Sequence, residues 1–257
     1  MAAAGGSSAA LRSLARLASV QFKRFLREPM ALFFTVAFPV LLVLLFGFIW
    51  GNEPGSSFSP PGFGYIDAVV PALAAIVIGT VALMSIPTAT ATDRKQKLLR
   101  RYQATPLRPL VYFAADVSVH FATAAVGMVL LTVVAKLVFA LRLGGSWLAV
   151  LGGFVLSALA FIAVGYVIAG VVRSDRVALA VGMAIYFPLM FLSGAAMPLE
   201  IMPENVRRVA GWLPLTHVVR LLQDLWFGTG WNWESGLVLL GMLVVGTALS
   251  AALFRWE

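Results

Sequence analysis

The chain contains no cysteine. Disulfides, thiol catalysis and thiolate metal sites are thereby excluded. Charge is also scarce: 12% of the 257 residues are Asp, Glu, Lys or Arg, against about 25% in a soluble domain. There are two histidines, and no HExxH or comparable ligand cluster, so no metal chemistry can be read from spacing. A GxxxxGK[ST] phosphate loop is missing, and the chain has no nucleotide-hydrolysing motif of its own. With so few buried ionisable groups, enzyme chemistry has little to work with, and no cofactor is expected on this chain. Residues 1–10 are small and polar, followed by scattered Arg and Lys instead of an unbroken apolar core, which argues against a cleavable signal.

What is present is apolar. Hydrophobic residues make up 61% of the chain and the mean hydropathy is +0.93. A soluble protein of this size cannot hide that much apolar surface, so the expected solvent is lipid. The net charge of +8 and pI near 10.4 fit either nucleic acid or an anionic membrane face. The long apolar runs decide for membrane lipid, and nucleic acid is not expected as a partner.

A bilayer core about 30 Å thick takes about 20 helical residues. Uncharged runs predict six transmembrane helices at roughly 31–50, 68–92, 112–141, 148–172, 177–197 and 235–254, an all-α integral membrane fold in a single domain, 1–257. With the N-terminus cytoplasmic, fourteen Lys and Arg fall in inside segments and four (Arg142, Arg207, Arg208, Arg220) outside, with Lys136 in a span. The asymmetry places both termini in the cytoplasm.

Residues 10–28 carry Leu11, Leu14, Ala18, Phe22, Phe25 and Leu26 on one helical face and Arg12, Arg16, Lys23 and Arg27 on the other. That spacing predicts an interfacial amphipathic helix. Loop 51–66 is rich in Gly, Ser and Pro and reads as external. The link 93–110 sets Leu98, Leu99, Tyr102 and Leu107 among close cations, and ends its helix at Thr105-Pro106. It reads either as a solvated basic loop or as a docking helix for a cytoplasmic partner. In 193–226, Pro198, Pro203 and Pro214 cut the chain into helical pieces too short to cross. Irregular backbone at membrane depth must be protein-buried or line a wet cavity, so 199–226 is expected to dip into the outer leaflet and return. Asp116 and His120 share a helix face at i, i+4 and are candidate intramembrane polar residues; simple mutual pairing is the alternative. Gly47 and Gly51 form a GxxxG, which permits close helix contact. Pro39, Pro87 and Pro188 lie inside spans, where each can kink its helix.

Three segments carry a family resemblance: RFLREPMALFFTVAFPVLLVLLFG (24–47), TDRKQKLLRRYQATPLRP (92–109) and FLSGAAMPLEIMPENVRRVAGWLPLTHVVRLLQDLW (191–226). Together with the six spans they resemble the membrane subunit of ATP-binding-cassette exporters of the type-2 permease family, in its drug-export and nodulation-like branch. The middle segment departs from pattern, with Lys95, Gln96 and Lys97 where the family usually has an acidic, Gly-containing run.

The resemblance implies a second permease (an identical copy or a paralogue), two cytoplasmic P-loop ATPase subunits that hold ATP and magnesium, and a bacterial plasma membrane. It implies ATPase coupling through Arg94, Leu98, Leu99, Tyr102, Thr105 and Pro106, an interfacial gate helix with Phe22, Phe25 and Arg27, and an outer re-entrant gate with Pro198, Glu200, Pro203, Pro214, Leu215 and Thr216. The implied cargo is an amphiphilic or hydrophobic drug or lipid, or alternatively a lipid-linked glycan. A standalone proton-coupled transporter using Asp116 and His120 is the reading from another class.

Overall fold

The computed structural model describes residues 32–55, 59–98 and 109–253. Among these there is no strand. A π-turn over Phe33–Ala37 leads into α1 (Phe38–Trp50). Next come α2 (Tyr65–Thr80), a second π-turn (Val81–Ser85) and α3 (Ile86–Lys95), one continuous rod. Helices α4 (Pro109–Phe139), α5 (Trp147–Val171) and α6 (Asp175–Leu192) follow. A 3₁₀ turn (Leu199–Ile201), α7 (Glu204–Ala210), α8 (Pro214–Phe227) and α9 (Trp233–Leu253) complete the order. Six helices are long and apolar enough to cross a membrane: Phe33–Trp50, Tyr65–Lys95, Phe113–Phe139, Trp147–Val171, Asp175–Leu192 and Trp233–Leu253.

The rod Tyr65–Lys95 is the axis of the bundle. Its apolar window is 94% buried, against 17–56% for the other five. Every residue of α2 is buried, as expected of a helix that is apolar all round. Its Ala72, Ala74, Ala75 and Gly79 allow close approach, and α1, α4, α5, α6 and α8 all pack on the rod. Helix α9 packs mainly on α5, where Gly246 lies against Ala163 and Gly170 against Leu253. These pairs advance in step, so α5 and α9 run parallel.

Both π-turns sit two residues before a proline. The N–H of Phe38 bonds to Phe33 O, and that of Ile86 to Val81 O, five residues back in each case, just ahead of Pro39 and Pro87. A proline ring clashes with the carbonyl four residues earlier, and a wide turn moves that carbonyl aside. The expected kinks are thus realised as π-turns. The displaced carbonyls meet glycines on neighbouring helices. A Cβ on Gly182 of α6 would lie 2.3 Å from Leu83 O, one on Gly165 of α5 2.3 Å from Ala82 O, and one on Gly127 of α4 3.0 Å from Thr35 O.

Helix α8 does not cross. A Cβ on Gly79 would lie 3.0 Å from Tyr186 Cε2 and 3.8 Å from Leu215 Cδ1, while Gln223 Nε2 donates to Ala68 O at 3.1 Å. Helix α8 therefore runs antiparallel to α2 and begins fourteen residues down it, about 21 Å at 1.5 Å per residue. Gly79 is close to the midpoint of the 31-residue rod Tyr65–Lys95. The chain descends through 193–213 and returns through α8. The prolines start the pieces: Pro198 and Pro203 cap the 3₁₀ turn and α7, and Pro214 is the first residue of α8, where its missing N–H has no intrahelical partner to lose.

Candidate functional site

At the end of the bundle that gathers loops 51–64, 140–146, 193–203 and 228–232, here the upper end, α1, α2, α8 and the 194–200 segment enclose a chamber of about 370 Å³. Its floor is buried and small: Ala72, Val69, Gly194 and Val219. Phe46, Tyr65 and Phe227 supply aromatic walls, and Glu200, Asp224 and Thr229 are the polar lining residues that reach solvent. Tyr65 packs at a tilt against Trp50, with ring centroids 5.0 Å apart, and edge-on to Phe46 at 6.3 Å. Of the predicted outer-gate residues, Pro198 and Glu200 line this chamber. Pro203 is exposed at the start of α7, and Pro214, Leu215 and Thr216 lie at the deep corner. There the hydroxyl of Thr216 donates to Ala210 O at 2.7 Å, closing the α7–α8 bend.

Beside the chamber is a polar clamp built on Asp67, which is completely buried. Its carboxylate accepts from Gly64 N–H at 2.8 Å, Arg142 N–H at 2.8 Å and Asn52 Nδ2 at 3.0 Å. Its own N–H donates to Asn52 Oδ1 at 3.1 Å. The Gly64 contact satisfies a free amide at the start of α2. The clamp joins both ends of loop 51–64 to loop 140–146, and Asn52 also donates to Phe139 O at 3.0 Å. Trp226 Nε1 donates to Arg142 O at 2.9 Å, tying the top of α8 to the same assembly. Asp67 immediately precedes the expected second span, 68–92. An acid at the third position of a helix after a Gly-rich loop is the signal that marks its capping role.

At the lower end, α3 continues past the expected limit of 92 to Lys95. The Arg94 guanidinium donates to Ala169 O and Val172 O, both at 3.0 Å, satisfying carbonyls at the C-terminus of α5. Lys95 pairs with Asp175 at 3.2 Å. These contacts strap the end of the axial rod to the α5–α6 turn. Lys97, with φ of 56°, then redirects the chain before the half-buried Leu98. Leu99, Tyr102, Thr105 and Pro106 of the expected coupling link lie outside the described residues, as do Phe22, Phe25 and Arg27 of the N-terminal helix. Asp116 and His120 are brought together on α4, with Oδ2 and Nε2 3.9 Å apart, and Tyr166 of α5 donates its hydroxyl to Asp116 Oδ2. A second buried polar contact lies at mid-depth, where Thr80 Oγ1 donates to Ile76 O and is within 2.9 Å of Tyr186 Oη. Gly47 and Gly51 do not act as one motif. A Cβ on Gly47 would strike the Phe139 ring, whereas Gly51 has open space and a φ of 67° that ends α1.

The profile of the ABC-2 type transporter family matches residues 12–227. The chain belongs to the ABC-2 type transporter family. Among ABC-2 relatives, it is similar to the daunorubicin resistance ABC transporter permease protein DrrB1 of Streptomyces coeruleorubidus, with 26% identity over 257 residues, 96% of this chain and 86% of the relative. It is also similar to the transport permease YvfS of Bacillus subtilis (24% over 181 residues, 68% and 71% of the two chains). The inner membrane transport permease YhhJ of Escherichia coli is 25% identical over 202 residues, 77% of this chain and 52% of YhhJ. This ABC-2 chain is accordingly a multi-pass membrane protein of a permease family.

Proposed function

We propose that this chain is the transmembrane subunit of an ATP-binding-cassette exporter for amphiphilic or hydrophobic cargo. It works with a second permease and two cytoplasmic P-loop ATPase subunits in a bacterial plasma membrane, with the upper end outward. ATP and magnesium belong to the ATPase subunits. The name of the daunorubicin resistance relative supports drug-like cargo, and the placement of Lys and Arg supports the orientation.

The observation that carries the proposal is the charged face at the deep corner. Glu204, Arg207 and Arg208 are exposed within two turns of the buried Ala210, which is bonded to Thr216 at the foot of α8, level with the middle of the rod Tyr65–Lys95. The Arg208–Glu204 pair, at 2.9 Å, leaves both side chains more than 70% exposed. Ionisable groups at that depth face water or a protein partner rather than hydrocarbon, as a translocation path between two permeases requires. In this reading Leu98, Leu99, Tyr102, Thr105 and Pro106, with the N-terminal helix, take the push of the ATPases, and Arg94 and Lys95 pass it to the α5–α6 turn. The apolar floor of the chamber favours an amphiphile over a glycan.

The test is coexpression with the neighbouring open reading frame and purification in mild detergent. A P-loop ATPase should copurify, and Leu98→Asp should release it without loss of membrane insertion. Absence of any ATPase overturns the proposal. The Asp116–His120–Tyr166 cluster supports a second reading, a standalone proton-coupled transporter, which instead requires transport that follows the proton gradient without an ATPase.

A further inference from the structure

We infer that the upper chamber is a binding site for an organic ammonium carried on an apolar body. This rests on the exporter reading and narrows its cargo to cationic amphiphiles.

The charge of the lining is the first ground. Glu200 and Asp224 both line the chamber, and no lysine or arginine is among the described residues that line it; Arg220, one turn before Asp224 on α8, is not among the lining residues. The chain as a whole has the opposite balance, 19 Lys and Arg against 11 Asp and Glu. Three acids elsewhere have basic partners: Asp175 has Lys95 and Glu204 has Arg208, and Asp67 has Arg142 at 4.0 Å. Asp224 instead accepts from neutral donors, Asn232 Nδ2 at 2.7 Å and Thr229 Oγ1 at 3.3 Å. Neutral donors orient a carboxylate and leave its charge in place. Glu200 makes no ion pair among the described residues. In a chamber with low-dielectric walls, two uncompensated carboxylates give a focused negative potential.

The second ground is the order of the lining with depth. Glu200 is exposed and Asp224 partly exposed, whereas Ala72, Val219 and Gly194 are buried. An amphiphile enters body first and leaves its charged group at the rim. Between the two levels stand Phe46, Tyr65 and Phe227, whose ring faces attract cations. A volume of about 370 Å³ falls inside the range of about 300–1,000 Å³ typical of small-molecule sites. Acid rim, aromatic middle and small apolar floor together select an ammonium over a carboxylate, a phosphate or a neutral glycan.

The experiment uses the full chain in phosphatidylglycerol nanodiscs, with binding read from daunorubicin fluorescence. The matched control is N-acetyl daunorubicin, which keeps the rings and lacks the charge. The amine should bind about tenfold more tightly than the amide, the sum of a partly exposed ion pair and a cation–π contact. Glu200→Gln should weaken the amine about threefold, Glu200→Lys should reverse the preference, and neither should move the amide. The exposed Glu200 carries the test even if Asp224→Asn disturbs the top of α8. Equal binding of the two compounds, or a preference that survives Glu200→Lys, overturns the inference. No saturable binding of either compound by a chain that still copurifies with its ATPase also overturns it and leaves the exporter reading standing. Saturable cation-selective binding without an associated ATPase supports the site and removes the exporter reading. Replacing half the lipid by phosphatidylethanolamine tells the source of the ammonium: displacement of daunorubicin shows a lipid amine in the same site, and unchanged binding shows a free amphiphile.

Discussion

Replacing Asp67 tests whether the upper end is held by directional hydrogen bonds or by charge attraction. Asp67→Ala removes one acceptor from each of three donors, Gly64 N–H, Arg142 N–H and Asn52 Nδ2. A buried donor left without a partner costs about 1–3 kcal/mol. Arg142 is 42% exposed in its side chain and part of that group reaches water, so the total expected loss is about 3–5 kcal/mol. Asp67→Asn keeps the shape and one acceptor oxygen but turns an NH₂ toward a donor, for an expected loss of about 1–3 kcal/mol. Arg142→Ala leaves the backbone N–H bond to Asp67 intact and removes a 4.0 Å ion pair and a long, exposed 3.5 Å hydrogen bond to Asn52 O, for an expected loss of about 1 kcal/mol. The order is therefore Asp67→Ala, then Asp67→Asn, then Arg142→Ala. Equilibrium unfolding by SDS titration in mixed micelles measures each difference. If Arg142→Ala is as damaging as Asp67→Ala, attraction between charges holds the clamp and the hydrogen-bond account is wrong.

Further outcomes follow from the same geometry. Gly182→Ala places a methyl against Leu83 O and should cost about 1–3 kcal/mol by overpacking, measured by the same titration, whereas Gly241→Ala, with nothing within 4 Å, should be neutral or slightly stabilising. Arg94→Ala should free the Ala169 and Val172 carbonyls and lower cargo-stimulated ATPase activity of the assembled complex while ATPase copurification persists; full coupling in this variant would remove Arg94 from the transmission path. Asp116→Asn should leave ATP-driven export within about twofold of wild type, because a change of that size is under 0.5 kcal/mol; a larger loss that tracks pH would favour the proton-coupled reading. A maleimide on Asn205→Cys should react from outside intact cells, and reaction only from the cytoplasm would invert the orientation.

The sequence carried much of this architecture because hydrophobic length is a strong signal. All six spanning helices match the apolar runs, and the proline-cut segment 193–226 descends and returns as short pieces. Ends and irregularities were harder to read. Helix α2 begins at Tyr65 and not at 68 because Asp67 caps Gly64, an effect of one side chain that hydropathy averages away. The π-turns were foreseen only as kinks, since a proline marks where a carbonyl must move and not which wide turn receives it. Gly182 and Gly165 give no local signal at all, as their role depends on a carbonyl from another helix. The chamber was half legible: Pro198 and Glu200 were singled out, but Asp224 and Tyr65 join them only once α8 folds back along α2. The Arg94 strap could not be read locally either, because its acceptors lie 75 and 78 residues away.

A π-turn is, in register, a single inserted residue. Removing one residue from Val81–Ser85 would return Tyr65–Lys95 to uniform helical phase and rotate everything below by about 100°. Arg94 would then swing off the α5 terminus, and Ala91 and Asp93, now buried, would turn with it. The upper half of the rod, with the clamp and chamber, would keep its azimuth. The wide turn thus divides one continuous helix into two halves whose facings are set independently, and a change in chain length of one residue there would alter the lower half alone.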